Sequence, residues 1–172
     1  MALILGIDPG SVKTGYGFVN TVGKKLEYVD AGTIRTGGGP VPERLKVIHD
    51  SLTDLIQKFQ PQVVSIEEVF LARDPSAAIK LGQARGAAIV AATQFNMDVF
   101  EYTAKQIKLA VVGKGNADKA QVQHMVRILL GLRANPAEDA ADGLAAAICH
   151  VNTHQTLLKM SESGRVKAGR IK

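Results

Sequence analysis

ALILGIDPGSVKTGYGFV, residues 2–19, decides the fold. An apolar run of strand length, Leu3 to Ile7, stops at a lone carboxylate, Asp8, turns through Pro9-Gly10-Ser11 and resumes beyond Gly15. Such a run, bounded by turn residues, reads as a buried strand. The segments Gly17 to Val22 and Leu26 to Ile34 carry the valine, tyrosine and phenylalanine content of strands, with a turn at Gly23-Lys24. Three strands joined this tightly predict an antiparallel meander.

Helical signals follow. Leu45, Ile48, Leu52, Leu55 and Ile56 form a stripe within Pro42 to Phe59 that Pro61 ends. Val63 to Ile66 reads as a second buried strand, Pro75 to Phe95 as an alanine-rich helix, Val99 to Tyr102 as a short strand and Ala104 to Val112 as a helix. The loop Gly113 to Asn116 precedes a helix from Asp118 to Leu130 and a last one from Ala137 to about His154. Strands first, then alternating helix and strand, predict an α/β class: one mixed sheet flanked by helices in a single domain. A chain of 172 residues with 46% hydrophobic content is long enough to bury such a core.

No run of eighteen apolar residues and no leader pattern occurs, so a soluble cytoplasmic protein is expected. The single cysteine, Cys149, lies in the apolar stretch LAAAIC and reads as a buried thiol. The net charge of +5 is concentrated beyond residue 158, where Lys159, Arg165, Lys167, Arg170 and Lys172 stand against Glu162. The expected organisation is a folded domain over residues 1–158 and a basic, disordered tail over 159–172 that is open to a polyanion.

The acidic residues carry the chemistry. Asp8 closes one apolar strand and Glu67 closes another, VVSIE. If the two strands lie side by side in parallel, both carboxylates emerge at one edge of the sheet. Glu68 follows Glu67 directly, and side-chain alternation sends it to the opposite face. Asp139 and Asp142, three residues apart in PAEDAADGLAAA, share a helix face, and Asn135-Pro136 places the pair in the first helical turn. Capping alone accounts for an acidic pair in a first turn, and a turn residue alone accounts for a strand-end carboxylate. Several acids that end segments packed together are different: like charges about 4 Å apart repel by roughly 4 kcal/mol at an effective dielectric of 20. Such a cluster asks for a cation, and carboxylate oxygens alone suit Mg²⁺ or Mn²⁺.

The motifs GIDPGSVKTGYG, IEEVF, LGQARG and DAADGLA, in this order, resemble the RuvC-type crossover junction endonucleases, the bacterial Holliday junction resolvases. The resemblance runs from about residue 2 into the final helix. It implies an RNase H-like fold with a five-stranded mixed sheet, and a homodimer that makes paired metal-dependent nicks in strands of like polarity at a four-way DNA junction, in recombination and repair. It implies catalytic, metal-holding carboxylates at Asp8, Glu67, Asp139 and Asp142, with two Mg²⁺ ions per site that Mn²⁺ can replace. Lys108 and Lys119 are expected at DNA phosphates near the cut, Lys114 on the glycine loop as a further contact, and Phe70 as an aromatic that stacks on a base. Junction branch-migration proteins are the implied partners. This chain carries Glu138 immediately before Asp139.

Other readings stay open on the residues alone. Gly10, Gly15 and Gly17 serve either as turn glycines or as a close approach for a phosphate. The helix with Gly82 and Gly86 packs either on its own sheet or on a second copy. GIDPGSVKTG also resembles the phosphate hairpin of actin-like ATPases and sugar kinases, whose second lobe 172 residues cannot hold. A phosphate loop of the GxxxxGK[ST] type is excluded, because Lys108 and Gly115 stand where glycine and Ser/Thr are required. A DNA-binding module without catalysis is the rival of a different class. His49, His124, His150 and His154 show no metal-ligand spacing that compels attention, and none is assigned a catalytic role.

Overall fold

The computed structural model describes residues 2–69 and 74–162. Five strands, β1 (Ala2–Asp8), β2 (Lys13–Val22), β3 (Lys25–Arg35), β4 (Val63–Glu67) and β5 (Asp98–Tyr102), form one sheet in the order β3-β2-β1-β4-β5. The first three make the expected antiparallel meander, while β4 and β5 run parallel to β1. Parallel neighbours need crossovers, supplied here by α1 (Val41–Phe59) between β3 and β4 and by α2 (Pro75–Thr93) between β4 and β5.

Strand alternation splits the core into two layers. Leu5, Ile7, Phe18, Val64 and Ile66 face α1 and α2 and pack on Ile48, Leu52, Ile56, Ala84 and Ala88. The other face, with Ile4 and Val19, packs on α3 (Ala104–Val112), α4 (Lys119–Leu129) and α5 (Glu138–Glu162) through Ile107, Val122, Leu144, Ala147 and Ile148. Ser65 sits on this second face and its buried hydroxyl donates to the Ala146 carbonyl at 2.6 Å, tying β4 to α5. The helix starts are explicit in the sequence. Thr103 with Gln106, and Asp118 with Gln121, close reciprocal capping boxes at α3 and α4.

Three expectations are corrected. β2 begins at Lys13, so Gly15 and Gly17 are strand residues rather than turn residues. Their missing side chains make room for α5: a Cβ on Gly15 would stand 1.9 Å from the Asp139 carbonyl oxygen, and one on Gly17 would stand 2.6 Å from Leu144. The last helix continues to Glu162, past the end expected near His154 and across the boundary at 158, so Lys159 is helical. Its first turn holds Glu138 and Asp139, which leaves Asp142 in the next turn. Cys149 is buried, as expected. None of the helices among the described residues is long and apolar enough to cross a membrane.

Candidate active site

Asp8 and Glu67 are the last residues of two strands that pair in parallel, one position beyond the Ile7–Ile66 pair. Adjacent strands lie about 4.8 Å apart, so the two carboxylates leave the sheet side by side. Alternation from Ile4 through Gly6 to Asp8, and from Ser65 to Glu67, directs both toward the layer of α3, α4 and α5. There α5 lies backbone against strand, and Asp142 reaches the same place from its second turn. Asp8, Glu67, Asp142, Lys108 and Lys119 line one cavity of about 220 Å³, walled on its apolar side by Ala104, Ile107 and Val122.

The electrostatics follow from that crowding. Burial, then the charges of Glu67 and Asp142, push the Asp8 carboxyl up to about 7, against the pull of Lys119. Burial and Asp142 raise Glu67 to about 7, opposed by Lys108 and Lys119. Asp142 is pushed up to about 6, chiefly by burial, with Lys119 as the largest opposing charge. Three half-buried acids raised together, each chiefly by burial, mark a candidate functional site.

Asp139 stands apart from the cavity lining, and its Oδ2 accepts from the Thr33 hydroxyl at 3.3 Å. Its charge still acts on Asp8 and Asp142. Glu68 does not line the cavity either; its backbone N–H donates to the Tyr102 carbonyl at 2.9 Å. Lys108 is half-buried on α3, Lys119 heads α4, and Lys114 is exposed on the Gly113 loop outside the cavity. Phe70 lies outside the described residues.

Two further residues join the site that the motifs did not single out. Thr33 comes from near the end of β3, and its partner Asp139 is far along the chain, so no local pattern marks it. Glu138 pairs with Lys119, whose ammonium also stands 4.0 Å from Asp142 Oδ2. Among the described residues no three acidic, histidine or cysteine side chains close on a single point as a finished metal cage would. The acids surround a cavity instead, with ammonium groups at its rim. His150, given no role, is buried and shares a 2.9 Å hydrogen bond with the Tyr102 hydroxyl through Nδ1.

This arrangement has relatives. The family model of crossover junction endodeoxyribonuclease RuvC matches residues 4–150, a span that includes all four carboxylates. A protein of that name from Marinobacter nauticus is 54% identical over 100% of this chain and 99% of its own length, and one from Saccharophagus degradans is 52% identical over 99% of each. The T. thermophilus RuvC solved in complex with a Holliday junction substrate superposes with a TM-score of 0.85 at 34% identity, covering 91% of this chain and 96% of that one. The yeast mitochondrial Holliday junction resolvase Ydc2, at 14% identity and a TM-score of 0.66 over 93% of this chain and 83% of its own, shares the fold. The family match over residues 4–150, the 54% identity over the whole chain and the shared fold at a TM-score of 0.85 agree, and the chain belongs to the RuvC family of crossover junction endodeoxyribonucleases.

Proposed function

We propose that the protein is a metal-dependent endonuclease that resolves four-way DNA junctions by paired nicks in strands of like polarity. The observation that carries this reading is the convergence of Asp8, Glu67 and Asp142, from three elements distant in sequence, on one cavity that also presents Lys108 and Lys119. The lining offers carboxylate oxygens without thiolate or imidazole, a donor set that fits Mg²⁺, with Mn²⁺ as substitute. Asp8, Glu67 and Asp142 would hold the cations, two per site, with Asp139 beside them. The chemistry such cations supply when bound is activation of a water and neutralisation of charge on the leaving oxygen in an in-line displacement.

The chain's own residues do the rest. The strand ends fix Asp8 and Glu67 more rigidly than a loop would, within the fraction of an ångström that a reactive geometry needs. Lys108 and Lys119 receive the scissile phosphate, and Lys119 meets charge that grows toward the transition state. Ala104, Ile107 and Val122 thin the water around the site and strengthen these interactions. Lys114 and the basic residues beyond 158 contact DNA phosphate farther out, and Phe70 stacks on a base at the opened crossover.

Two cuts at equivalent points are served by a two-fold dimer. The outer stripe of α2 suits that seam: Ile79 and Val90 are 64% and 57% exposed, and open space faces Gly82 and Gly86. The nuclease domain runs to the end of α5 at Glu162, and residues 163–172 are a basic extension. Action on DNA alongside branch-migration proteins places the protein in the cytoplasm. The test is nicking of a synthetic four-way junction with each strand labelled, with and without Mg²⁺, against linear duplex of the same sequence. Symmetric nicks that need both the junction and the metal are expected. Tight binding without nicking under any divalent cation would return the chain to the non-catalytic binders.

A further inference from the structure

Glu138 has no part in the cavity lining, yet it makes the closest contact of a cavity lysine. The Lys119 ammonium donates to Glu138 Oε1 and stands 4.0 Å from Asp142 Oδ2. Lys119 opens α4 and Glu138 opens α5. The two helix starts are held together by Gln123, whose Nε2 donates to the Pro136 carbonyl at 3.1 Å. Both side chains of the pair are more than half exposed, at 66% and 53%. An exposed pair of this kind adds little to stability, so its consequence is one of placement.

An ammonium is a compact charge with three donors on a flexible stem, and it goes where the nearest acceptors hold it. The anions that act on Lys119 are Glu138, Asp142 and Asp8, and two of these line the cavity. We propose that Glu138 is a positioning residue that anchors the Lys119 ammonium at the cavity rim, leaving Asp8 and Asp142 open to a divalent cation and the lysine free for a substrate phosphate. The proposal rests on the metal reading above. Without Glu138, the ammonium swings onto Asp142 and Asp8 and occupies the place the cation needs. The charge of Lys13 also acts on Glu138, so a test must isolate the Lys119 contact.

A double-mutant cycle does this, read as Mn²⁺ binding to the DNA-free full-length protein by calorimetry at pH 8.5, above the values of all three raised carboxyls. The four proteins are the wild type, Glu138→Gln, Lys119→Met and the double variant. Glu138→Gln is expected to weaken Mn²⁺ binding about five-fold in the native background and less than about two-fold once Lys119 is gone. Equal losses in both backgrounds would overturn the proposal, because Glu138 would then act on the cation through its own charge. No loss in the native background would overturn it as well. A wild type that takes up no Mn²⁺, or an Asp8→Asn/Asp142→Asn protein that binds it as tightly, would overturn the metal reading itself and the proposal with it.

Discussion

Gly6 of β1 and Gly143 of α5 meet backbone to backbone: a Cβ on Gly6 would lie 2.0 Å from the Gly143 carbonyl oxygen, and one on Gly143 would lie 2.5 Å from the Tyr16 carbonyl carbon. Gly6 is two residues before Asp8 and Gly143 is next to Asp142, so this contact sets how closely the carboxylates of β1 and α5 approach.

Gly143→Ala therefore forces α5 off the sheet. Overpacking at a site lined by backbone costs about 1–3 kcal/mol. Chemical denaturation should show that loss. Cutting at saturating junction should fall further than binding does, because Asp142 moves with the helix. An unchanged denaturation midpoint would mean that the sheet yields without cost.

The raised carboxyls make the metal-free protein more stable in mild acid. Asp8 and Glu67 stand at about 7 and Asp142 at about 6 in the folded state, above their ordinary carboxylate values. The folded state thus binds protons more tightly than the unfolded one. The stabilisation is full below about pH 4 and is lost as the pH rises through 6 to 7. Metal-free protein should melt at a higher temperature at pH 5 than at pH 8, and Asp8→Asn should raise stability at pH 8 by on the order of 2 kcal/mol. A melting temperature that climbs from pH 5 to pH 8 would contradict the crowding of these three acids.

The parts of this site that a reader of the sequence can see are those that local chemistry marks. Asp8 and Glu67 are legible because an apolar strand breaks at each, and Thr103, Asp118, Gln106 and Gln121 announce two helices by their capping spacing. The partners of Gly15 and Gly17 are not legible, since Asp139 and Leu144 reach them from the far end of the chain. The same holds for Thr33 and Asp139. The end of α5 is obscured by Asn152, Thr153, His154 and Thr156, weak helix formers that suggest a stop. The helix continues through them, with the Thr156 hydroxyl donating back to the Asn152 carbonyl at 2.8 Å, and Val151 and Leu158 line one groove with Ala2 and Ile4. Glu138 is legible as an extra acid, but its lysine partner depends on how α4 and α5 meet.

The α2 stripe predicts the oligomeric state. Gly86 faces open space within one chain, so Gly86→Leu leaves the fold intact while blocking close approach of a second copy. Sedimentation should find the wild type dimeric at micromolar concentration and the variant shifted toward monomer, with unaltered circular dichroism. A wild type that sediments as a monomer would refute a dimer at that concentration.

The central claim is that Asp8, Glu67 and Asp142 form the cutting site without being needed for the fold or for holding the junction. Cleavage and gel-shift assays on one synthetic four-way junction, run with Asp8→Asn, Glu67→Gln and Asp142→Asn beside the wild type, test it most directly. Each variant should lose strand scission by on the order of 10³-fold or more while binding the junction nearly as the wild type does. Wild-type cutting by any two of the three would contradict the account.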